Sequence, residues 1–415
     1  MTSRERVLTA LNFKSSDKLP LDFGGHRSSG ISAIAYAKLK KALGIYTGEI
    51  YVYDMVQQLS IIESQVLDKL GVDVVEMGRG FCTDAKDWKP WELPDGTPCK
   101  IPTYVNIEKK QDSWILYSDS GRELGIQKKG CLYFEQTYFP MDHVDYATDD
   151  FSNLKDYFSE SMWTAVGHPA SELKLEGDDL KKLSEGARKL RSLTDRAIIG
   201  LFGGNLFEIP QYFLRADHYM LYMAMYPEAT HRFTEKLFEI HADNLQKWLG
   251  AVGNYIDIIM FGDDLGSNNG PLIDPAMYKE YFKPYHTKLW KLVKKLAPHL
   301  KIQLHCCGGI EPFLNDLIEA GLDAVNPVQI SCKGMEIGEL KKKYQGKLTF
   351  WGGGCDTQHI LPEAKPEEIR RHVKAQIDIM KSSNGGFVFQ QVHNVMANVP
   401  TKNLLAMFEA VDMYR

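Results

Sequence analysis

Apolar residues gather in short runs that end in glycine or a polar residue, each followed by a stretch with helical spacing. Eight such runs stand out: Leu19–Gly24 (LPLDFG), Val72–Gly78 (VDVVEMG), Ala197–Gly204 (AIIGLFGG), Ile256–Asp264 (IDIIMFGDD), Lys301–Gly308 (KIQLHCCG), Asp323–Gln329 (DAVNPVQ), Leu348–Asp356 (LTFWGGGCD) and Gly386–Asn394 (GFVFQQVHN). A run that is apolar throughout marks a strand buried on both faces, with helices covering it. In PEEIRRHVKAQIDIMKSS, Ile369, Val373, Ile377 and Met380 recur on one helical face. Pro366 falls in the first turn of that helix, where a missing N–H costs nothing. In IEPFLNDLIEAGLDAV a helix closes at Gly321 and a strand follows. Eight strands alternating with helices predict an α/β fold, a (β/α)8 TIM barrel.

Two regions exceed the bare repeat. Residues 25–70 are longer than one crossover and predict a helical extension over one end. Residues 79–195 form a long insertion after the second strand. Its first half (YVNIEKKQDSWILYSDSGRELGIQKKGCLYFEQTYF) alternates polar and apolar residues between turn signals, as a β-meander does. Its second half, Asp149–Leu193, reads as charged helix. The expected organisation is one TIM-barrel domain, 1–415, with the insertion near the barrel mouth.

Composition narrows the function. Lys and Arg number 49 against 54 Asp and Glu, so the net charge is -5, which argues against a nucleic-acid surface. The start, MTSRERVLTALNFKSS, has charges where a secretory leader has its apolar core, and no apolar run is long enough to span a bilayer. A cytoplasmic protein is expected, with no membrane or nucleic-acid partner; a homodimer stays open. The seven cysteines (Cys82, Cys99, Cys131, Cys306, Cys307, Cys332 and Cys355) are an odd number, which points to thiolate or metal chemistry rather than to a disulfide framework. There is no G-x-x-x-x-G-K-[ST], no G-x-G-x-x-G after a strand and no G-x-S-x-G, so nucleotide cradles and serine hydrolases are not indicated.

In a parallel barrel the chemistry sits where strands end. His305-x-Cys307 ends the fifth run, Cys355 the seventh and His393 the eighth. Thiolate and imidazole are zinc ligands, and a catalytic zinc takes three protein ligands and keeps one position open. Strand alternation sends His305 and Cys307 one way and Cys306 the other. The third ligand is Cys355 or His393. Asp263 and Asp264 end the fourth run, point to opposite sides, and offer one general acid or anchor. His26, Arg27, Asn268, Asn326, Gln329 and Gln390 are polar candidates for substrate binding, and Phe202, Phe207 and Trp351 are aromatic ones.

These stretches resemble the uroporphyrinogen decarboxylase-like superfamily, and within it the corrinoid-dependent methyltransferase branch. The resemblance runs from RERVLTALNFKSSDKLPLDFGG through FGDDLGSNNGPLIDPAMYKEYFKPY, HCCGGIEPFLNDLIEAGLDAVNPVQ and GGGCDTQHILP to VPTKNLLAMFEA. Decarboxylases of the superfamily carry an arginine-rich motif near the first strand; DFGGHRSSG holds only Arg27. The methyltransferase branch has a His-x-Cys…Cys zinc motif, which His305 and Cys307 match. The place of its final Cys is taken here by His393, ahead of Val399-Pro400-Thr401-Lys402-Asn403, and Cys355 is an extra thiol. The resemblance implies a zinc-dependent enzyme moving a methyl group from a small donor, of which a methoxylated aromatic compound is the favoured class, to the Co(I) of a separate corrinoid protein. Methyl transfer from a corrinoid to a thiol, decarboxylation, and ligand binding without turnover are the alternatives.

Overall fold

Seven parallel strands carry the fold of this computed structural model, which describes residues 1–77, 84–167, 175–382 and 384–415. They are β1 (Val74–Met77), β2 (Ala197–Gly203), β3 (Ile258–Gly262), β4 (Lys301–His305), β5 (Ala324–Asn326), β6 (Thr349–Trp351) and β7 (Phe387–Val388). Each pairs in parallel with its neighbour in sequence. Residues 20–22 fill the gap between β7 and β1. Asp22 N donates to Phe389 O, Phe389 N to Pro20 O and Asp73 N to Leu21 O, each at 2.8 Å. The first apolar run therefore closes the barrel through single hydrogen bonds rather than a ladder. Pro20 has no N–H to give, and the chain turns away at Gly24, whose φ is 82°.

Strand alternation sends Val74, Ala197, Ile199, Ile258, Met260, Ala324, Trp351 and Val388 into one buried apolar cluster that fills the barrel. Helix α1 (Ser3–Leu11) adds Val7 and Leu11 to it and plugs the end where the strands begin. Thr2 and Glu5 form a capping box at its start, and Gly386 N bonds to Ala10 O at 2.8 Å near its end. The opposite strand positions, such as Phe202 and Phe261, join the larger cluster under the outer helices, among them α2 (Pro227–Val252) and α3 (Lys283–Leu296).

The extension is not purely helical. Between helices Ala33–Ala42 and Ser64–Leu70 the chain makes a short antiparallel hairpin, Val52–Asp54 with Leu59–Ser60. The insertion begins as a two-stranded sheet (Trp88–Glu92, Pro98–Pro102), followed by a four-stranded antiparallel one from Asn106–Lys110 to Glu135–Gln136. It ends in short turns of helix and the helix Gly177–Leu193. Gly78 and Cys82 lie outside the described residues, as do 79–83 and 168–174 of the insertion.

One carboxylate ties the closed end together. Asp73, 1% exposed, accepts from Ser3 Oγ (2.8 Å), Arg6 Nη1 (2.5 Å), Leu21 N (2.9 Å) and Arg415 Nη1 (3.1 Å). Removing one partner of a buried ion pair leaves an uncompensated charge. Asp73→Ala takes the paired carboxylate from buried Arg415 and leaves Arg6 with Asp17 alone, and should cost about 3–5 kcal/mol, read as a lower urea midpoint. A midpoint unchanged from wild type would rule out this role.

Candidate metal centre and the cavity above it

A cavity of ≈ 310 Å³ opens at the C-terminal ends of the strands. Leu201, Gly203, Met260, Gly262, Asp264 and His305 line it from β2, β3, β4 and their ends. His26, Arg27 and Gln57 come from the extension, Trp163, Thr164 and Gly167 from the insertion, and His393 from the segment after β7. Asn205, Glu208 and Tyr212 complete the wall at the helix that follows β2, Glu208–Leu214.

His305, Cys307 and His393 form a group able to hold a metal ion, with one ligand atom from each lying within 4.8 Å of the others. Cys307 Sγ is 3.4 Å from His305 Nε2, and the two imidazole centroids are 5.7 Å apart. The orientation of His305 is set from behind. Asn326 donates its amide N–H groups to Trp351 O (2.9 Å) and Gln390 Oε1 (2.7 Å). Its Oδ1 is therefore the acceptor, taking Ser28 Oγ (2.7 Å) and His305 Nδ1 (2.9 Å). That places the proton of His305 on Nδ1 and leaves Nε2 with a lone pair toward Cys307, as a metal-binding histidine requires. Burial, and then the neighbouring His305, lower His393 to about 4, so its imidazole is neutral at neutral pH. Burial, and then the charge of Asp264, push the Cys307 thiol up. A bound cation would reverse that balance. Two imidazoles and one thiol are a donor set that fits a three-ligand site.

The structure does not bring Cys355 into this group. Gly352 and Gly353 turn the chain at φ 127° and 74°, and Cys355 then pairs with Gln391 in an isolated bridge. Its side chain is fully buried in the outer apolar cluster, and among the described residues its thiol makes only a long hydrogen bond, to Asp356 O at 3.9 Å. A Cβ on Gly352 would overlap the carbonyl of Pro327, so only glycine can make that turn.

The two aspartates separate as strand alternation requires. Asp264 lines the cavity, accepts Cys307 N–H at 2.7 Å and lies 3.6 Å from His305 Nε2. Burial raises its carboxyl above the usual range, while the Cys307 hydrogen bonds oppose the shift. Asp263 is fully buried behind it. It accepts from Leu206 N (3.0 Å), Phe207 N (2.8 Å) and Glu208 N (3.0 Å), and lies 3.2 Å from His286 Nε2. This satisfies the free N–H groups at the start of the helix bearing Glu208 and Tyr212.

Of the polar candidates, His26 and Arg27 line the cavity. His26 Nε2 is 3.1 Å from Asp22 Oδ2; Arg27 Nε is 3.2 Å from Asp54 Oδ2, and Arg27 also donates to Gly167 O. Gln390 is buried beneath, bonded to Asn326. Gln329 accepts Gly308 N–H (3.0 Å) and, at 3.3 Å, donates to Asn268, so both brace the loop after β4. The three aromatics lie off the cavity. Phe202 packs outward on His241, Trp248 and Phe261, because its neighbours Leu201 and Gly203 take the inward positions. Phe207 packs on Tyr219 and Phe282, and Trp351 lies in the barrel interior with Nε1–H on Asp22 Oδ2 at 2.7 Å.

Sequence reading passed over Glu208 and Tyr212. Their i, i+4 spacing at the start of a helix leaving a strand end was the available signal. Tyr212 OH donates to Glu208 Oε1 at 2.7 Å and its ring stacks on Trp163, centroids 5.6 Å apart.

Comparison with known proteins places this geometry in a family. The uroporphyrinogen decarboxylase (URO-D) family matches residues 143–414, and the chain belongs to that family. Its fold is similar to that of a methyltransferase from Methanosarcina mazei, with 14% identity, 100% of this chain and 99% of that chain covered, and a TM-score of 0.56. A β-glucanase from Saccharophagus degradans (12% identity, 80% and 96% covered) reaches a TM-score of 0.34. No curated protein sequence matches the chain. Among the described residues no helix is long and apolar enough to cross a membrane.

The wall behind the cavity is sensitive to acid. His241, 1% exposed and 3.2 Å from Asn205 O, is lowered to about 4, chiefly by burial. Its unfolded form binds a proton below about 6.5, so folding stability falls as pH drops from about 6.5 toward 4. The stability advantage of wild type over His241→Gln should shrink by up to about 3 kcal/mol across that window. Urea unfolding at several pH values checks this; a difference constant with pH contradicts it.

Proposed function

We propose that this protein is a zinc-dependent methyltransferase of the cytoplasm that moves a methyl group from a small donor to the Co(I) of a separate corrinoid protein. The observation that carries the reading is the convergence of His305, Cys307 and His393 on one another at the strand ends, where the two histidines line the cavity. These three residues would hold the zinc, and Asn326, bonded to the Nδ1 of His305, leaves Nε2 free to ligate. Bound there, zinc supplies a Lewis acid that withdraws charge from the donor's heteroatom.

The donor class we favour is a methoxylated aromatic compound. Trp163 and Tyr212, stacked on each other, line the cavity with aromatic surface suited to an aromatic donor, and Leu201 and Met260 add apolar lining. The corrinoid protein docks over the open mouth, and the chain's task is to hold donor and acceptor close and keep water out. Decarboxylation of a polycarboxylate fits poorly. Among the described residues Arg27 is the one arginine that lines the cavity, and its charge is already matched by buried Asp54.

Elemental analysis of purified protein tests the reading. About one zinc per chain is expected, with a large loss in Cys307→Ala and His393→Ala and none in Cys355→Ala. Zinc affinity should rise with pH, because binding releases the Cys307 proton, which burial holds tightly. Zinc content that is negligible, or indifferent to Cys307, sinks the proposal.

A further inference from the structure

We propose that Glu208 donates the proton to the oxygen that leaves as the methyl group is transferred. This catalytic role rests on the methyl-transfer reading above. Glu208 opens its helix with its N–H held by Asp263 Oδ1 at 3.0 Å, which fixes it relative to the end of β3. Its side chain lines the same cavity as His305 and His393. Oε1 accepts from Tyr212 OH at 2.7 Å and Oε2 from Asn205 Nδ2 at 2.6 Å.

The nearby carboxyls are committed elsewhere. Asp263 accepts three backbone N–H groups and faces His286, and Asp264 accepts Cys307 N–H beside His305. Asp54 faces Arg27, and Asp22 accepts Trp351 Nε1–H. Among the described residues Glu208 forms no ion pair with a lysine or arginine. The titratable groups around it are Tyr212, Asp264, Asp263 and His305. A carboxyl taken out of water, beside two other acids and with no lysine or arginine on it, is driven toward its protonated form. Burial, and then the charges of Asp264 and Asp263, accordingly push it well above the usual carboxylate range.

The step balances. The methyl–oxygen bond breaks and its electron pair stays on oxygen. The methyl carbon takes the electron pair that Co(I) brings, and the cobalt is oxidised to Co(III) as that bond forms. Oxygen takes the Glu208 proton and departs as a neutral phenol. Glu208 is left as a carboxylate, held by Asn205 and Tyr212, and regains a proton from water once the product leaves. Positioned proton donors of this kind contribute about 10²–10⁴-fold to a rate.

The test uses zinc-loaded enzyme, free cob(I)alamin as acceptor and ring-substituted anisoles as donors, followed by the loss of cob(I)alamin absorbance. Glu208→Gln should lose about 10²-fold or more on anisoles whose phenols leave poorly, and little on electron-poor ones that need no proton. Glu208→Asp should recover part of the loss on the poor donors, and zinc content should stay at the wild-type level in both variants. Independently of turnover, the infrared spectrum of wild type at neutral pH should contain a carboxylic-acid C=O band that Glu208→Gln lacks. Equal losses across the whole anisole series, or no such band, overturn the role of Glu208 while methyl transfer stands. Wild type inactive on every anisole overturns the methoxyarene reading and this role with it.

Discussion

The open end of the barrel depends on the level at which its central strands stop. Gly262 pairs with His305 and His305 with Asn326, so β3, β4 and β5 finish side by side. The lateral hydrogen bonds of the parallel ladder set that level, and a slip of one residue would turn His305 outward. With the register fixed, Asn326 sits beside His305 and can hold its ring, while Asp264 follows the end of β3 and meets the N–H of Cys307. His305 and Cys307 are thus held by backbone pairing first and by side chains second.

A second constraint works from underneath. Asp263, buried and facing away from the cavity, gathers the first N–H groups of the Glu208–Leu214 helix. The strand end and the helix start become one rigid corner. Adjacent aspartates in the chain have opposite tasks for this reason: one builds the corner and the other faces the cavity.

Much of this was legible in the chain because strand ends are legible. Continuous apolar runs gave the barrel, and the opposite facing of Cys306 and Cys307 followed from a period of two; Cys306 Sγ in fact accepts Leu265 N at 3.3 Å, away from the metal group. The same period, applied to AIIGLFGG, would have turned Phe202 outward once Leu201 was taken as inward. Cys355 was harder. Nothing in GGGCDTQ reveals that two left-handed glycines carry its thiol into the outer layer. Glu208 was harder still, since an acid in the first turn of a helix usually serves the helix dipole alone. Its place on the cavity emerges only when Asp263 fixes the corner.

Two parts of the cavity wall differ in mechanical standing. The His305 side belongs to the barrel's hydrogen-bonded ladder and cannot shift without disturbing every neighbour. Trp163, Thr164 and Gly167 belong to the inserted segment and reach the barrel through side-chain packing and the contact of Arg27 with Gly167 O. Exchanging residues in that segment can therefore reshape what the cavity admits while the strand-end side stays as it is. A scaffold divided in this way can come to admit different small molecules by rewriting a single wall, with its strand-end side chains inherited intact.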